Sequence, residues 1–155
     1  GRIGRALSEK ALSQGVGYPV LLSLSQEIEA NKKKYYAALQ EAQRANDITA
    51  WLTYFVHTVL EAQSDAERHI NFVLQKTKLF DRYVKQLDER QIKVIRRMLE
   101  EGPRGFAGGI NAKKYSGITG VSKATATRDL QYLQTLGILQ RVGEGRSTRY
   151  ELVFK

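Results

Sequence analysis

The chain has 155 residues, 42 % of them hydrophobic and 26 % charged, a size and composition that suit one large globular domain or two small ones. With no cysteine and only two histidines, His57 and His69, disulfides, thiolate metal sites and thiol nucleophiles are excluded, and no metal site is expected. Net charge is +9, from 25 Lys and Arg against 16 Asp and Glu, and no apolar run approaches the roughly 18 residues of a membrane helix, so a cytoplasmic protein with no membrane partner and with polyanions among its candidate partners is expected.

The chain opens on GRIGRALSEKAL, two arginines one helical turn apart with no capping Ser, Thr, Asp or Asn before them and no initiating Met. That pattern reads as an element cut out of a longer protein. The first helix is expected to run to about Gln14 with Ile3, Leu7 and Ala11 on one stripe, and GVGYP then breaks it. A second helix is expected across LSLSQEIEANKKKYYAALQEAQRAN, capped by Ser23 or Ser25, striped by Leu24, Ile28, Tyr35, Leu39 and Ala42, and stopped at Asn46. NKKKYY within it is read as a wet face beside core rings rather than as a stacking platform for nucleic acid. Asp47 caps a third helix, on which Trp51, Phe55, Val59, Ala62, Ala66, Ile70, Val73, Thr77 and Phe80 keep an apolar face for about 35 residues, or about 50 Å. Its second half, HINFVLQKTKLFDRYV, is expected to serve as a stalk or as a packing surface for the next domain. His57 on this helix is expected in the core or at its boundary, and His69 at the boundary or exposed.

The pattern changes at Asp88, so the expected division is a helical part over 1–87 and a second domain over 88–155. The latter holds the charge surplus, 13 basic against 7 acidic residues, where 1–87 holds 12 against 9. DERQIKVIRRMLEEGPRG predicts a capped helix with Ile92, Ile95 and Leu99 inward, closed by Gly102 and Pro103. A Gly-rich connection, GFAGGI, leads to NAKKYSGITG, and VSKATATRDLQYLQTLG predicts a strong helix with Ser122 at its N-cap. ILQRV and STRYELVF read as two short strands around the GEGR turn. The expected fold is mainly α: a helical bundle with one long helix, then a winged helix-turn-helix with a small β-hairpin.

On the last helix a 100° step gathers Ala126, Leu130, Leu133 and Gly137 on the inner face, and Ala124, Thr125, Arg128, Gln131 and Thr135 on the opposite one. In a helix-turn-helix the N-terminal part of this helix enters the major groove. Thr125 and Arg128 are therefore the candidate base readers, Arg128 for O6 and N7 of guanine, and Ser122 and Lys123 the phosphate contacts at the positive end of the helix. Gln131 lies on the same face, and Arg141, Arg146 and Arg149 of the wing suit phosphates or a narrow minor groove. Asp129 is placed at the flank, in a local ion pair. A protein-docking module, with the arginines merely solvated, stays open as the other use of this fold.

VSKATATRDLQYLQTLGILQRVGEGRSTRYEL, above all TATRDL and LGIL, resembles the winged-helix modules of bacterial repressors of the DeoR type and of the C-terminus of many Fic-family proteins. GRIGR is similar to the tail of the Fic signature, His-Pro-Phe-x-(Asp/Glu)-Gly-Asn-Gly-Arg-x-x-Arg, and LLSLSQEIEANKKKYYAALQ and DITAWLTYFVHTVLEA resemble the two helices that follow it. The resemblance implies the C-terminal part of a protein adenylyltransferase, which in its intact form moves AMP from ATP onto a hydroxyl of a target protein. Carried over by position, Gly1 would line the anion hole at a helix N-terminus, and Arg2 and Arg5 would meet the β- and γ-phosphates, with Arg5 also a possible partner of an inhibitory glutamate. The general-base histidine and the magnesium-holding acidic residue of the signature fall upstream of Gly1. The resemblance thus implies an inactive fragment with no catalytic residue and no metal ligand of its own, needing ATP and magnesium only in the intact protein. The alternative is a transcription regulator whose helical part senses or dimerises while the winged helix reads DNA. Target protein, DNA and a second copy of the chain are the partners these two readings expect.

Overall fold

The computed structural model describes residues 2–16, 24–44 and 46–154, without the side chains of Arg2, Arg5, Glu9, Val16 and Arg146. The described chain is mainly helical, a helical bundle followed by a winged helix, and it divides into two compact units, one up to Arg68 and one from His69 onward.

The first unit contains α1 (Arg2–Val16), α2 (Leu24–Ala30), α3 (Lys32–Ala42) and the first part of α4 (Thr49–Tyr83). The stripe expected on α1 is uncovered, with Ile3 78 % and Leu7 61 % exposed. Gly17, Tyr18 and Pro19 of the expected break and Ser23 of the expected cap lie outside the described residues, and Ser25 sits inside α2. The single helix expected across LSLSQ to QRAN is two. Asn31 leaves helical geometry at φ −115° and ψ 28°, and its side-chain amide donates to Glu27 Oε1 at 2.6 Å. A short amide side chain competes with the helical backbone in this way, so Asn tolerates a bend where Ala or Leu would resist one. Asp47 does mark the start of α4, its Oδ1 accepting from the Thr49 amide at 2.8 Å, and the Thr49 hydroxyl first and this amide second hold its carboxyl below the usual aspartate range. Leu24, Ile28, Thr58 and Ala62 are buried, and Tyr35, Trp51 and Phe55 form a ring ladder with centroids 5.5 and 6.0 Å apart.

The second unit begins inside α4, because the end of that helix packs on the core of the winged helix: Leu79 is buried there, with Phe72, Phe80 and Tyr83 against it. Of the positions the sequence spacing predicts in this part of the helix, Phe80 is packed, but Ile70 and Val73 are 42 % and 58 % exposed and Thr77 is exposed. The predicted steps of three and four average about 3.6 and so follow one helix face, but the end of α4 buries a different face, the one that carries Phe72, Leu79 and Tyr83 onto the core of the second unit. After a 3-10 turn over Val84–Gln86 comes α5 (Glu89–Leu99). Asp88 caps it with a full capping box, accepting from the Gln91 amide at 2.8 Å while Gln91 Oε1 accepts from the Asp88 amide at 3.1 Å. Val94, Ile95, Met98 and Leu99 are buried, whereas Ile92 is half-buried at the edge of that face.

A 3-10 turn over Gly102–Arg104 precedes α6 (Ala112–Thr119), capped by Asn111, and α7 (Lys123–Thr135), then β1 (Leu139–Val142) and β2 (Arg149–Leu152). The strands pair antiparallel with Leu139 opposite Leu152 and Val142 opposite Arg149. The GFAGGI connection is more than a linker. Ile110 and Tyr150 exchange both backbone bonds, at 2.8 and 2.7 Å, which adds a one-residue third strand to the free edge of β2. Gly109 makes that possible: at φ 61°, any Cβ would lie 2.7 Å from the Tyr150 carbonyl oxygen.

Candidate nucleic-acid interface

Helices α6 and α7 meet through a tight turn whose chemistry is local. Gly120 ends α6 at φ 79°, a left-handed conformation that closes the helix, and two residues later Ser122 starts α7 at φ −63° and ψ 155°. Its Oγ accepts from the Thr125 amide at 3.2 Å and lies 3.1 Å from the Thr125 hydroxyl. Ala126, Leu130 and Leu133 are buried, as the helical step predicts. Ala124, Arg128, Gln131 and Thr135 are exposed on the opposite face, with Lys123 and Thr127 beside them. Among the described residues, Arg128, Gln131 and Lys123 spend no side-chain group on an internal hydrogen bond or ion pair. Thr135 does, donating to the Gln131 carbonyl at 3.1 Å.

Thr125 departs from its expected place. It is half-buried although only about 60° round the helix from Arg128, and its hydroxyl belongs to the cap. Thr127, which the sequence reading passes over, is exposed, at the edge of the outer face about 40° round the helix from Gln131.

Asp129 is the larger correction. It is 8 % exposed, not at a solvated flank. The Tyr115 hydroxyl of α6 donates to its Oδ2 at 2.8 Å, Gln91 Nε2 of α5 donates to Oδ1 at 3.4 Å, and Arg90 Nε lies 3.6 Å away. A buried carboxylate needs such partners. Burial first, and the Asp129 carboxylate second, hold the Tyr115 phenol well above the usual tyrosine range. Three helices are thus joined at one oxygen pair, and α7 is held in orientation by groups 14 and 38 residues away in sequence. No spacing signal links them. Tyr132 adds a fourth tie, its hydroxyl donating to the Gln86 carbonyl at 3.2 Å.

In the wing, Gly143 turns at φ 77° where a Cβ would meet the Ser147 carbonyl oxygen at 2.7 Å, and Ser147 and Glu144 close the loop by mutual bonds. Arg141 pairs across with Tyr150, and Arg149 with Val142, so the two arginines leave opposite faces of the ribbon. Arg141 reaches the Thr148 hydroxyl at 3.4 Å, and Arg149 pairs with Glu151 at 3.2 Å. Arg146 lies in the turn at the tip, Gly145–Ser147, with its side chain outside the described part.

The residues of the other expected site fall wholly or partly outside the described structure. Gly1 lies outside the described residues; Arg2 and Arg5 belong to α1, with their side chains outside the described part. His57 is exposed rather than in the core, and His69 is exposed. Among the described residues no cluster of three or more His, Asp or Glu could hold a metal ion, and no helix is long and apolar enough to cross a membrane.

No curated protein matches the chain. Its residues 107–153, from the Gly-rich connection through α6, α7 and both strands, match the family described as the C-terminal domain of transcriptional regulators that are DIP2311-like.

Proposed function

We propose that the chain is part of a transcription regulator that binds DNA through its winged helix, with α7 in the major groove. The observation that carries this reading is that the regulator-domain match over 107–153 coincides with the one helix whose outer face presents Arg128, Gln131 and Lys123 unspent. Arg128 is the guanine reader, with Gln131 and Thr127 beside it. Ser122 and Lys123 meet phosphates at the helix start, as do Arg141, Arg146 and Arg149 along the wing; Thr125 acts through the cap. A phosphate can replace Glu151 as the partner of Arg149 at little cost, because exposed pairs are worth under about 1 kcal/mol. The helical part then serves sensing or self-association.

Selection from genomic fragments followed by titration at several salt concentrations tests the reading. Binding should weaken linearly in log–log form as salt rises. Arg128→Ala should cost about 1–3 kcal/mol and relax preference at one position, and Arg149→Ala should weaken all sequences alike and lower the salt slope by about one. Absence of binding at low salt, or both variants leaving binding intact, would instead favour a protein-docking role.

A second reading rests on GRIGR and the helices after it: the longer protein is a Fic-type adenylyltransferase, Gly1, Arg2 and Arg5 meeting the phosphates of ATP. On this reading the base and the metal ligand of the signature lie upstream of Gly1. Sequencing upstream of the Gly1 codon is the test. A His-Pro-Phe-x-(Asp/Glu)-Gly-Asn run directly before it supports the reading; any other sequence there ends it.

A further inference from the structure

The second unit contains a cavity of about 340 Å³ that the recognition helix does not touch. Its walls are Phe72 of α4, Met98 of α5, Phe106 of the Gly-rich connection, and Leu152 and Phe154 of the last strand and tail. The rings are pre-set. Phe72 and Phe154 stand edge to face, centroids 5.9 Å apart, and Phe106 is held by the Arg97 guanidinium at 5.5 Å and the Lys114 ammonium at 4.8 Å. A hollow of this size, with rings on some walls and Arg104, Glu151 and glycine backbone on others, takes a ligand of about ten to fifteen non-hydrogen atoms.

Charge selects among such ligands. Arg97 is matched by Glu101 and Glu100, Arg149 by Glu151, and Lys114 donates to the Ala107 and Gly109 carbonyls at 2.9 Å each. Arg104, exposed at the edge of the same cavity, has no ion pair among the described residues. Among the described residues Lys114 and Arg104 are thus the two cations here without a carboxylate partner, and of these Arg104 lines the cavity beside the aromatic rings. We propose that this cavity binds a small planar aromatic carboxylate, its ring among Phe72, Phe106 and Phe154 and its carboxylate on Arg104. An amine is disfavoured there, because the cations already on Phe106 repel another and Glu151 is neutralised by Arg149.

Calorimetric titration of the full chain with 2-naphthoate, with 2-naphthylmethylamine and with cyclohexanecarboxylate tests this. The expected result is one-to-one binding of 2-naphthoate at least tenfold tighter than of either other probe. Arg104→Gln, at an exposed position, should weaken 2-naphthoate about tenfold with no change in thermal midpoint. Phe106→Leu should weaken it further. No saturation by 2-naphthoate below about 5 mM, equal binding of the amine, or full affinity in Arg104→Gln would overturn the proposal. None of these readouts depends on DNA.

Discussion

The two units are built from the same kind of helix and differ in how much of each helix they hide. In the second, Val94, Ile95, Ile110, Tyr115, Ala126 and Leu133 are wholly inaccessible, and α5, α6, α7 and the ribbon close around them. In the first, the described buried residues are Leu24, Ile28, Thr58 and Ala62, while Ile3, Leu7, Leu52, Val56 and Leu60 are half or more exposed. Amphipathic helices alone do not make a core. A core forms when three or more elements converge on one set of side chains, and the winged helix does this with the ribbon as its fourth wall.

That contrast can be broken by substitution, measured as unfolding free energy in urea. Leu133→Ala, at a site with no solvent exposure, should cost about 2–5 kcal/mol, and the contrast fails if the loss is under about 1 kcal/mol. Gly109→Ala should cost about 1–3 kcal/mol, since the added methyl meets the Tyr150 carbonyl and φ 61° strains it. Tyr115→Phe should cost about 1–2 kcal/mol by leaving Asp129 short of a donor. It carries a pH signature as well. The folded phenol is raised above the unfolded value of about 10, so its contribution is complete below that pH and is lost as pH climbs above it; the wild type should therefore lose its advantage over Tyr115→Phe in that alkaline range. At the small end, Leu7→Ser should stay within about 0.5 kcal/mol, because its side chain is 61 % exposed already. A larger loss there would mean that the first unit has a core the described contacts lack.

Much of the second unit could be read directly. Ser122 and Asp88 each occupy the expected cap, and the inner face of α7 falls where the 100° step puts it. These are short-range effects, decided within one helical turn. Reading failed where distant groups intervene. The α4 face is set by what Phe72 and Leu79 pack against rather than by an average period, and Asn31 breaks a helix whose apolar spacing runs straight through it. Of the interface, the outer face of α7 was legible apart from Thr125, which the cap claims, and Thr127, which it exposes.

Capping residues, glycines at turns and hydrophobic periodicity were enough to specify the helices, the hairpin and the winged-helix class, because each acts through neighbours four residues away or fewer. The orientation of α7, the third-strand bridge at Ile110 and the aromatic hollow beside Arg104 emerged only on folding. Each depends on groups far apart in the chain, such as Gln91 with Asp129 or Phe72 with Phe154, and burial turns a surface-type aspartate into the tie between three helices.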